Sequence, residues 1–220
     1  MNWFRKEKPL TPRDLLFGDL PMEQWPKETT ATAEPWRSFV EARTCLKAGN
    51  KAEAIRILQG IQATVGLESR HYLQAWHFLR ELGVRPSAEM AKHLYGVLVE
   101  VGLEQGVDIV VAYADHTARY LNYTGSGVIW ERPDTSLDQP VGALLAAGRT
   151  VVQQIGPWEQ ARPPAPGNGS VRLNMLTPSG LHFGQGGFEV LAKDPMGGPL
   201  IGAATRLMQE LIAKTKEGKA

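Results

Sequence analysis

The feature that most constrains this chain is a change in the spacing of its apolar residues near Val107. Before this point, apolar residues recur about every 3.6 positions, which is typical of helices. After it they alternate along VDIVVAYAD, residues 107–115, which is typical of a strand. Because this segment is apolar on both faces, we expect it to lie in the centre of a sheet. The chain is therefore predicted to be α+β, with helices first and an antiparallel sheet after them.

The helical part is predicted to span residues 35–102. Four stretches carry apolar residues at helical spacing, and Gly or Pro residues separate them: 36–46, 54–65, 72–82 and 87–102. Ser87 is a suitable N-cap for the fourth helix, and Gly102 is a suitable end. With such short connections, we expect two antiparallel helical hairpins.

Part of this region has a recognisable pattern. The run ARTCLKAGNKAEAIRILQGI, residues 42–61, has a small residue, a Gly at the turn and Glu-Ala-Ile at the start of its second helix. It resembles one tetratricopeptide-type helical hairpin. The resemblance covers about one repeat, and the next segment does not repeat these positions. Solenoids of this kind need about three repeats, so a plain helical bundle is the interpretation we prefer.

An arm precedes the helices. Residues 1–34 contain four prolines, which fix φ and interrupt helices, together with Trp3 and Trp25. We predict an extended arm with one short helix near residues 13–17, and its aromatic residues indicate that it packs on its own domain.

Residues 103–220 are predicted to form the sheet domain. The order is β-β-(β)-α-β-β-α, with four to five antiparallel strands and helices packed on one face. This order is similar to that of small profilin-like or roadblock-like sheets, a likeness of fold that implies no function. The predicted elements are strands at 107–115, 118–124 and 128–131, a helix at 138–155, the strands SVRLNML and LHFGQGGFEVLA on either side of a turn at 177–180, and a final helix after DPMGGP.

Composition excludes several classes of function. The 24 Lys+Arg and 23 Asp+Glu residues give a net charge of +1, which argues against a nucleic-acid partner, because such proteins need a surplus of cations. The single cysteine, Cys45, cannot form an internal disulfide. No stretch has the apolar length of a signal peptide or a membrane span. We therefore expect a cytoplasmic protein with no membrane partner.

Cofactors and metals are not expected either. The five His residues lack the spacings of common zinc sites, and the glycines of MGGP are not followed by the Lys of a phosphate-binding loop. A structural turn before the final helix explains MGGP.

Three residues are candidates for catalysis: Asp115, His116 and His182. Asp115 and His116 lie where two strands should reverse, and Asp is favoured in turns, so a hairpin tip is the preferred interpretation. A catalytic role would require Asp115 to orient His116, although neighbours in a strand point to opposite faces. Ser179 and His182 could form a nucleophile and base, but the context of Ser179 differs from a nucleophile elbow.

Five residues are candidates for binding: Arg119, Tyr120, Asn122, Tyr123 and Trp130. Tyr, Trp and Arg are common in interface hot spots. If helices cover only one face of the sheet, the other face would present some of these side chains to a partner. The competing interpretation is a sheet face stabilised by cross-strand aromatic pairs.

These features support three hypotheses about function. The leading one is a non-catalytic protein that docks a protein partner or forms a homodimer through the aromatic and arginine-bearing sheet face and the Trp-bearing arm. The first alternative is a small hydrolase that uses Asp115, His116 and His182. The second is a sensor that binds a small ligand in the sheet domain, which requires an enclosed apolar pocket with a few convergent polar groups.

Overall fold

The structure is a computed structural model that describes residues 10–27 and 30–217. The predicted arm therefore lies partly outside the described residues, and Trp3 is among those not described. The helices are α1 (Trp36–Lys47), α2 (Lys51–Ala63), α3 (Ser69–Glu81), α4 (Ala88–Ala91), α5 (Asp138–Gln154), α6 (Phe188–Leu191) and α7 (Gly197–Glu217). The strands are β1 (Gly96–Leu103), β2 (Gly106–Tyr113), β3 (Ala118–Leu121), β4 (Gly127–Trp130), β5 (Ser170–Thr177) and β6 (Gly180–Gly187).

All six strands form one antiparallel sheet in the order β4-β3-β2-β1-β5-β6. The two central strands, β1 and β2, pair along their whole length, from Gly96 opposite Tyr113 to Leu103 opposite Gly106. Helix α5 connects β4 at one edge to β5 on the far side of β1. The predicted α+β class and antiparallel sheet are confirmed, with one strand more than the four to five expected.

Helices α5 and α7 pack side by side on one face of the sheet. The apolar side chains that β1, β2 and β5 direct to this face meet Val141, Leu144, Leu200 and Leu207 of these helices in the largest hydrophobic cluster. The backbone of α5 comes very close to β1 at Gly148, where an added Cβ would overlap Cγ2 of Val97. Burial of this face is the main source of stability for the sheet.

The opposite face is covered by the arm and by helix α3. Leu16 and Phe17, in and beside a short 3-10 helix at Asp14–Leu16, pack with Leu73 of α3 against apolar residues of β1 and β2. Tyr113 is fully buried here, and its hydroxyl donates to the carbonyl of Leu16 at 2.7 Å. Strands β1 and β2 carry apolar side chains on both faces of the sheet. Helices α5 and α7 bury one face, and the arm and α3 bury the other. The prediction that the arm packs on its own domain is confirmed for the described residues.

Helices α1, α2 and α3 form a small bundle beside the sheet. Phe39, Leu58 and Phe78 lie at its centre, and Trp25 of the arm packs on Trp36 with ring centroids 5.0 Å apart. The first three predicted helices are confirmed, and so is the short helix in the arm.

The predicted fourth helix at 87–102 is wrong. Only the four residues of α4 are helical there, and β1, a central strand of the sheet, begins at Gly96. The sheet therefore starts before the predicted boundary at residue 103. The spacing of Leu98 and Val101 also fits a helix, and the segment follows Ser87, a good helix N-cap, so it was assigned to a helix. The β-branched residues Val97, Val99 and Val101 were the signal for a strand.

A smaller correction concerns the end of β6. FEVLA was predicted to continue this strand, whereas Phe188–Leu191 forms the short helix α6. Leu191 of α6 packs back beside Gly186, which has no side chain to prevent this approach. Among the described helices, none combines the length and the apolar character needed to cross a lipid bilayer.

Candidate functional site

A cavity of about 210 Å³ lies between the sheet and helices α6 and α7. The sheet supplies its floor, because Val99 pairs with Val110 and Val101 pairs with Asp108 on adjacent strands, all on the face that carries the helices. Its remaining walls are Phe188 of α6 and Ile201, Ala204, Thr205 and Met208 of α7. Thr205 is exposed, so the cavity reaches solvent at this residue.

Among the described residues that line this cavity, Asp108 is the only one with an ionisable side chain. Its Oδ2 accepts a hydrogen bond from the hydroxyl of Tyr120, and its Oδ1 accepts one from the backbone N–H of Tyr123, both at 2.9 Å. A carboxylate offers about four acceptor positions on its two oxygens. Asp108 therefore keeps acceptor capacity after both bonds are made.

The hydroxyl of Tyr120 is held in its protonated, donating form. Burial, followed by the hydrogen bond to the Asp108 carboxylate and its negative charge, raises the pKa of Tyr120 to about 12. Ionised Tyr120 would place a second negative charge beside the first. At neutral pH the pair thus consists of a neutral phenol and an acceptor that faces the cavity.

This arrangement suits the binding of a small molecule. An apolar cavity of about 150 Å³ is large enough to hold benzene, so the cavity here accommodates a substituted single ring or a short alkyl chain. Apolar walls bind such a molecule by removing its surface from water, and a single polar group fixes its orientation.

Asp115 has a structural role at the tip of the β2–β3 hairpin. Its Oδ1 accepts from the backbone N–H of Thr117 at 2.9 Å and from the hydroxyl of Thr117 at 2.7 Å. Its Oδ2 accepts from the backbone N–H of Ser69 at 2.6 Å. The carboxylate thus stabilises the turn and caps helix α3, and its contacts account for both of its oxygens.

His116 follows Asp115 with a φ of +65°, a left-handed conformation that closes three-residue hairpin loops. Its Nδ1 lies 3.2 Å from Oδ1 of Asp138, at the start of α5. Arg132 binds both oxygens of Asp138, and these hydrogen bonds are the leading cause of the lowered pKa of that carboxyl. His116 and Asp115 therefore have separate partners, and both lie at the hairpin tip as predicted.

His182 is fully buried and bonds to Ser179, as a nucleophile and base would. Its Nε2 lies 3.0 Å from Oγ of Ser179, and its Nδ1 lies 3.1 Å from the carbonyl of Ile155. The same Oγ donates to the carbonyl of Ala91 at 2.6 Å and contacts Oγ1 of Thr177 at 2.9 Å. The hydroxyl thus already has three polar neighbours, and it donates its hydrogen to the carbonyl of Ala91 and not to His182. Desolvation lowers the pKa of His182, which favours its neutral form.

The three candidate catalytic residues do not converge. Asp115 follows β2 and His182 lies on β6, and β1 and β5 separate these strands in the sheet. At roughly 4.8 Å per strand, the separation is about 14 Å. The hydrolase hypothesis thus has no assembled site in the described part of the chain.

The five candidate binding residues do not share one surface. Trp130 and Tyr120 point toward the helices, where Trp130 is 6% exposed, whereas Arg119 lies on the other face, 7% exposed and paired with Glu131 at 2.9 Å. Asn122 organises the β3–β4 turn by accepting from the backbone N–H groups of residues 124 and 126. Only Tyr123 is well exposed, at 47%.

Two other features of the fold are structural. Glu100, fully buried on the face under the arm, bonds to Arg13 and Asn174 and lies 3.5 Å from Arg172. The glycines of MGGP lie in the first turn of α7, and the start of this helix is held by Asp194, whose Oδ1 accepts from the backbone N–H groups of Met196 and Gly197. Among the described residues, no three His, Cys, Asp or Glu side chains are grouped so that they could hold a metal ion.

A wider depression of about 640 Å³ runs along α1 and the segment before it, and its lining includes Trp36, Val40 and Cys45. It is broad and open to solvent, and only this helix and the adjoining segment form its walls. It lacks the enclosure that the cavity beside the sheet provides.

No family model, curated protein or solved structure matches this chain. The assignment of a site therefore depends on geometry alone.

Asp108 was not among the residues singled out from the sequence. The available signal was its position as the single acid in the otherwise apolar run VDIVVAY. An acid that interrupts a central strand needs a specific partner, because burial of an unpaired charge is costly. The partner, Tyr120, was singled out as a surface residue, and only the register of β2 and β3 reveals that it reaches Asp108.

Proposed function

We propose that this protein binds a small, largely apolar molecule in the cavity between the sheet and helices α6 and α7. The observation that carries this proposal is the lining of the cavity: seven apolar side chains, one exposed Thr and one carboxylate around about 210 Å³. This is the combination expected of a ligand site, with a hydrophobic enclosure and few polar groups. It corresponds to the sensor hypothesis formed from the sequence.

The geometry of the walls supports the proposal further. Strands β1 and β2 form a rigid floor, and the long helix α7 forms the opposite wall, so the cavity is formed before a ligand arrives. Sites of this kind lose little conformational entropy on binding.

The test uses toluene as the probe and follows the methyl NMR signals of Val99, Val110 and Ile201. Toluene should shift these signals in a saturable manner. The variant Ala204→Phe places a ring inside the cavity and should abolish the shifts. Ala213→Phe, the same change at an exposed position of α7, is the matched control and should respond as the wild type does. If toluene leaves the wild-type signals unchanged, the proposal is wrong.

A second candidate function, self-association through the β3–β4 hairpin, is favoured by one observation. Ile129, on edge strand β4, is 61% exposed, and Tyr123 in the adjoining segment is 47% exposed. An exposed apolar edge strand offers unpaired backbone groups to a second copy. Size-exclusion chromatography with light scattering should then find a dimer for the wild type and a monomer for Ile129→Lys. A monomeric wild type contradicts this candidate.

A further inference from the structure

We infer that the ligand of the cavity carries a cationic amine, which the carboxylate of Asp108 binds. This inference rests on the proposed function and adds the chemical class of the ligand. It follows from three features of the Asp108 side chain: its position, its hydrogen bonds and its lack of a cationic partner among the described residues.

The first feature is the position of Asp108. It lines the cavity from β2, opposite Val101, and it is only partly buried. Every other residue of the lining is apolar except Thr205, whose hydroxyl donates to the carbonyl of Ile201 at 2.9 Å. That bond uses the only hydrogen of the hydroxyl, so the hydroxyl can offer a ligand only lone pairs. The polar groups of the cavity thus accept hydrogen bonds, and a ligand must supply donors.

The second feature is the set of donors that Asp108 already has. Tyr120 and the backbone N–H of Tyr123 are both neutral, and each uses one acceptor position. They orient the carboxylate without neutralising its charge. The remaining positions on the two oxygens match an ammonium group, which has three donors.

The third feature is the absence of an intramolecular cation. Among the described residues, no Lys, Arg or His nitrogen lies within 4.0 Å of Asp108. Three acids elsewhere in this protein do have such a partner: Arg162 pairs with Asp14 and Asp19, which are partly buried, and Arg13 pairs with the fully buried Glu100. The Asp108 carboxylate beside the apolar cavity therefore carries a charge that a cationic ligand can pair.

The aromatic ring of Phe188 adds to this preference. It forms part of the cavity wall, and the face of an aromatic ring attracts cations. A ligand with an apolar body and an ammonium head therefore matches both the walls and the charge of the site.

The experiment compares three probes of similar size on the full chain: benzylamine, toluene and benzoate. Benzylamine should bind about tenfold more tightly than toluene, as expected for one charge-assisted hydrogen bond, and benzoate should bind least. Asp108→Asn removes the charge and keeps an oxygen for the backbone N–H of Tyr123, while its NH2 group can donate to the hydroxyl of Tyr120. It should lower the affinity for benzylamine about tenfold and leave that for toluene unchanged. Asp134→Asn, at an exposed acid that is not part of the lining, is the control and should change neither affinity.

The outcomes separate the two proposals. If toluene and benzylamine bind equally, or benzoate binds best, the inference about the amine is overturned while the cavity remains a ligand site. If none of the three probes binds, the proposed function fails and the inference fails with it. The ranking of probes on the wild type decides the matter even if Asp108→Asn does not fold.

Discussion

Ser69 and Asp115 bond to each other twice, across the boundary between the helical bundle and the sheet. The backbone N–H of Ser69 donates to Oδ2 of Asp115 at 2.6 Å, and the backbone N–H of Asp115 donates to Oγ of Ser69 at 3.1 Å. Helix α3 has no cap from its own N-cap residue, Glu68. A hairpin tip thus provides the cap that the local sequence lacks.

This contact predicts a stability effect for Asp115→Ala. The substitution leaves the first N–H of α3 and the N–H of Thr117 without an acceptor, and we expect a loss of about 2 kcal/mol in the free energy of unfolding. Urea denaturation measures it. Asp134→Ala removes a carboxylate from an exposed turn and should leave the stability nearly unchanged. Equal effects of the two substitutions would contradict the capping role.

A second prediction concerns the buried acid Glu100. Glu100→Gln leaves Arg13 and Arg172 without their counter-charge on the face under the arm, and removal of one partner from a buried pair costs about 3 kcal/mol. Denaturation at neutral pH provides the measurement. Glu53→Gln removes a similar pair, with Arg56, from the surface of α2. This control should show little change, since exposed pairs contribute little.

Two glycines of helix α5 should respond to alanine with opposite signs. Gly142 has open space where a Cβ would lie, so Gly142→Ala should stabilise the protein by up to about 1 kcal/mol through helix propensity. At Gly148 the new methyl would overlap Val97, a fully buried residue of β1. Gly148→Ala should therefore destabilise by about 1–3 kcal/mol. Thermal melts of the two variants test the closeness of α5 to the sheet.

Acid should destabilise this protein, in part through His77. Desolvation lowers the pKa of His77 from 6.5 to about 4. Between pH 4 and pH 6.5, the unfolded chain therefore binds a proton at this residue that the folded chain does not. Stability is then retained above pH 6.5 and lost as the pH falls. The contribution of His77 amounts to about 2 kcal/mol between pH 7 and pH 5.

His77→Gln isolates this contribution. The variant should lose less stability than the wild type when urea denaturation is compared at pH 7 and pH 5. Burial also lowers the pKa values of His71, His93 and His182, so the variant should retain some acid sensitivity. An identical pH dependence of the two proteins would show that His77 is not buried in its neutral form.

Much of the fold follows from apolar periodicity. Helices α1 to α3 have an apolar stripe on one side, and strand β2 alternates between two apolar faces, so each could be predicted with its neighbours unknown. Strand β1 was not predicted, because Leu98 and Val101 also fit a helical spacing in a segment that follows Ser87, a good helix N-cap. Its pairing partner β5 is distant in sequence, and no local pattern indicates that the two strands meet.

The candidate site was harder to predict because it depends on register. Asp108 and Tyr120 belong to different strands, and Phe188 and Ala204 come from helices that follow much later. Each of these residues has an ordinary structural explanation by itself. Only the packing of α7 across β1 and β2 brings them around one cavity.

The position of β1 has a consequence for synthesis of the protein on the ribosome. This strand emerges early, but one of its two edges pairs with β5, which begins only at Ser170. Until that segment leaves the exit tunnel, the nascent sheet has an open apolar edge in what will be its middle. Translation that stalls between β4 and β5 thus leaves a chain prone to aggregate, and a chaperone that binds extended apolar segments would have its main target there.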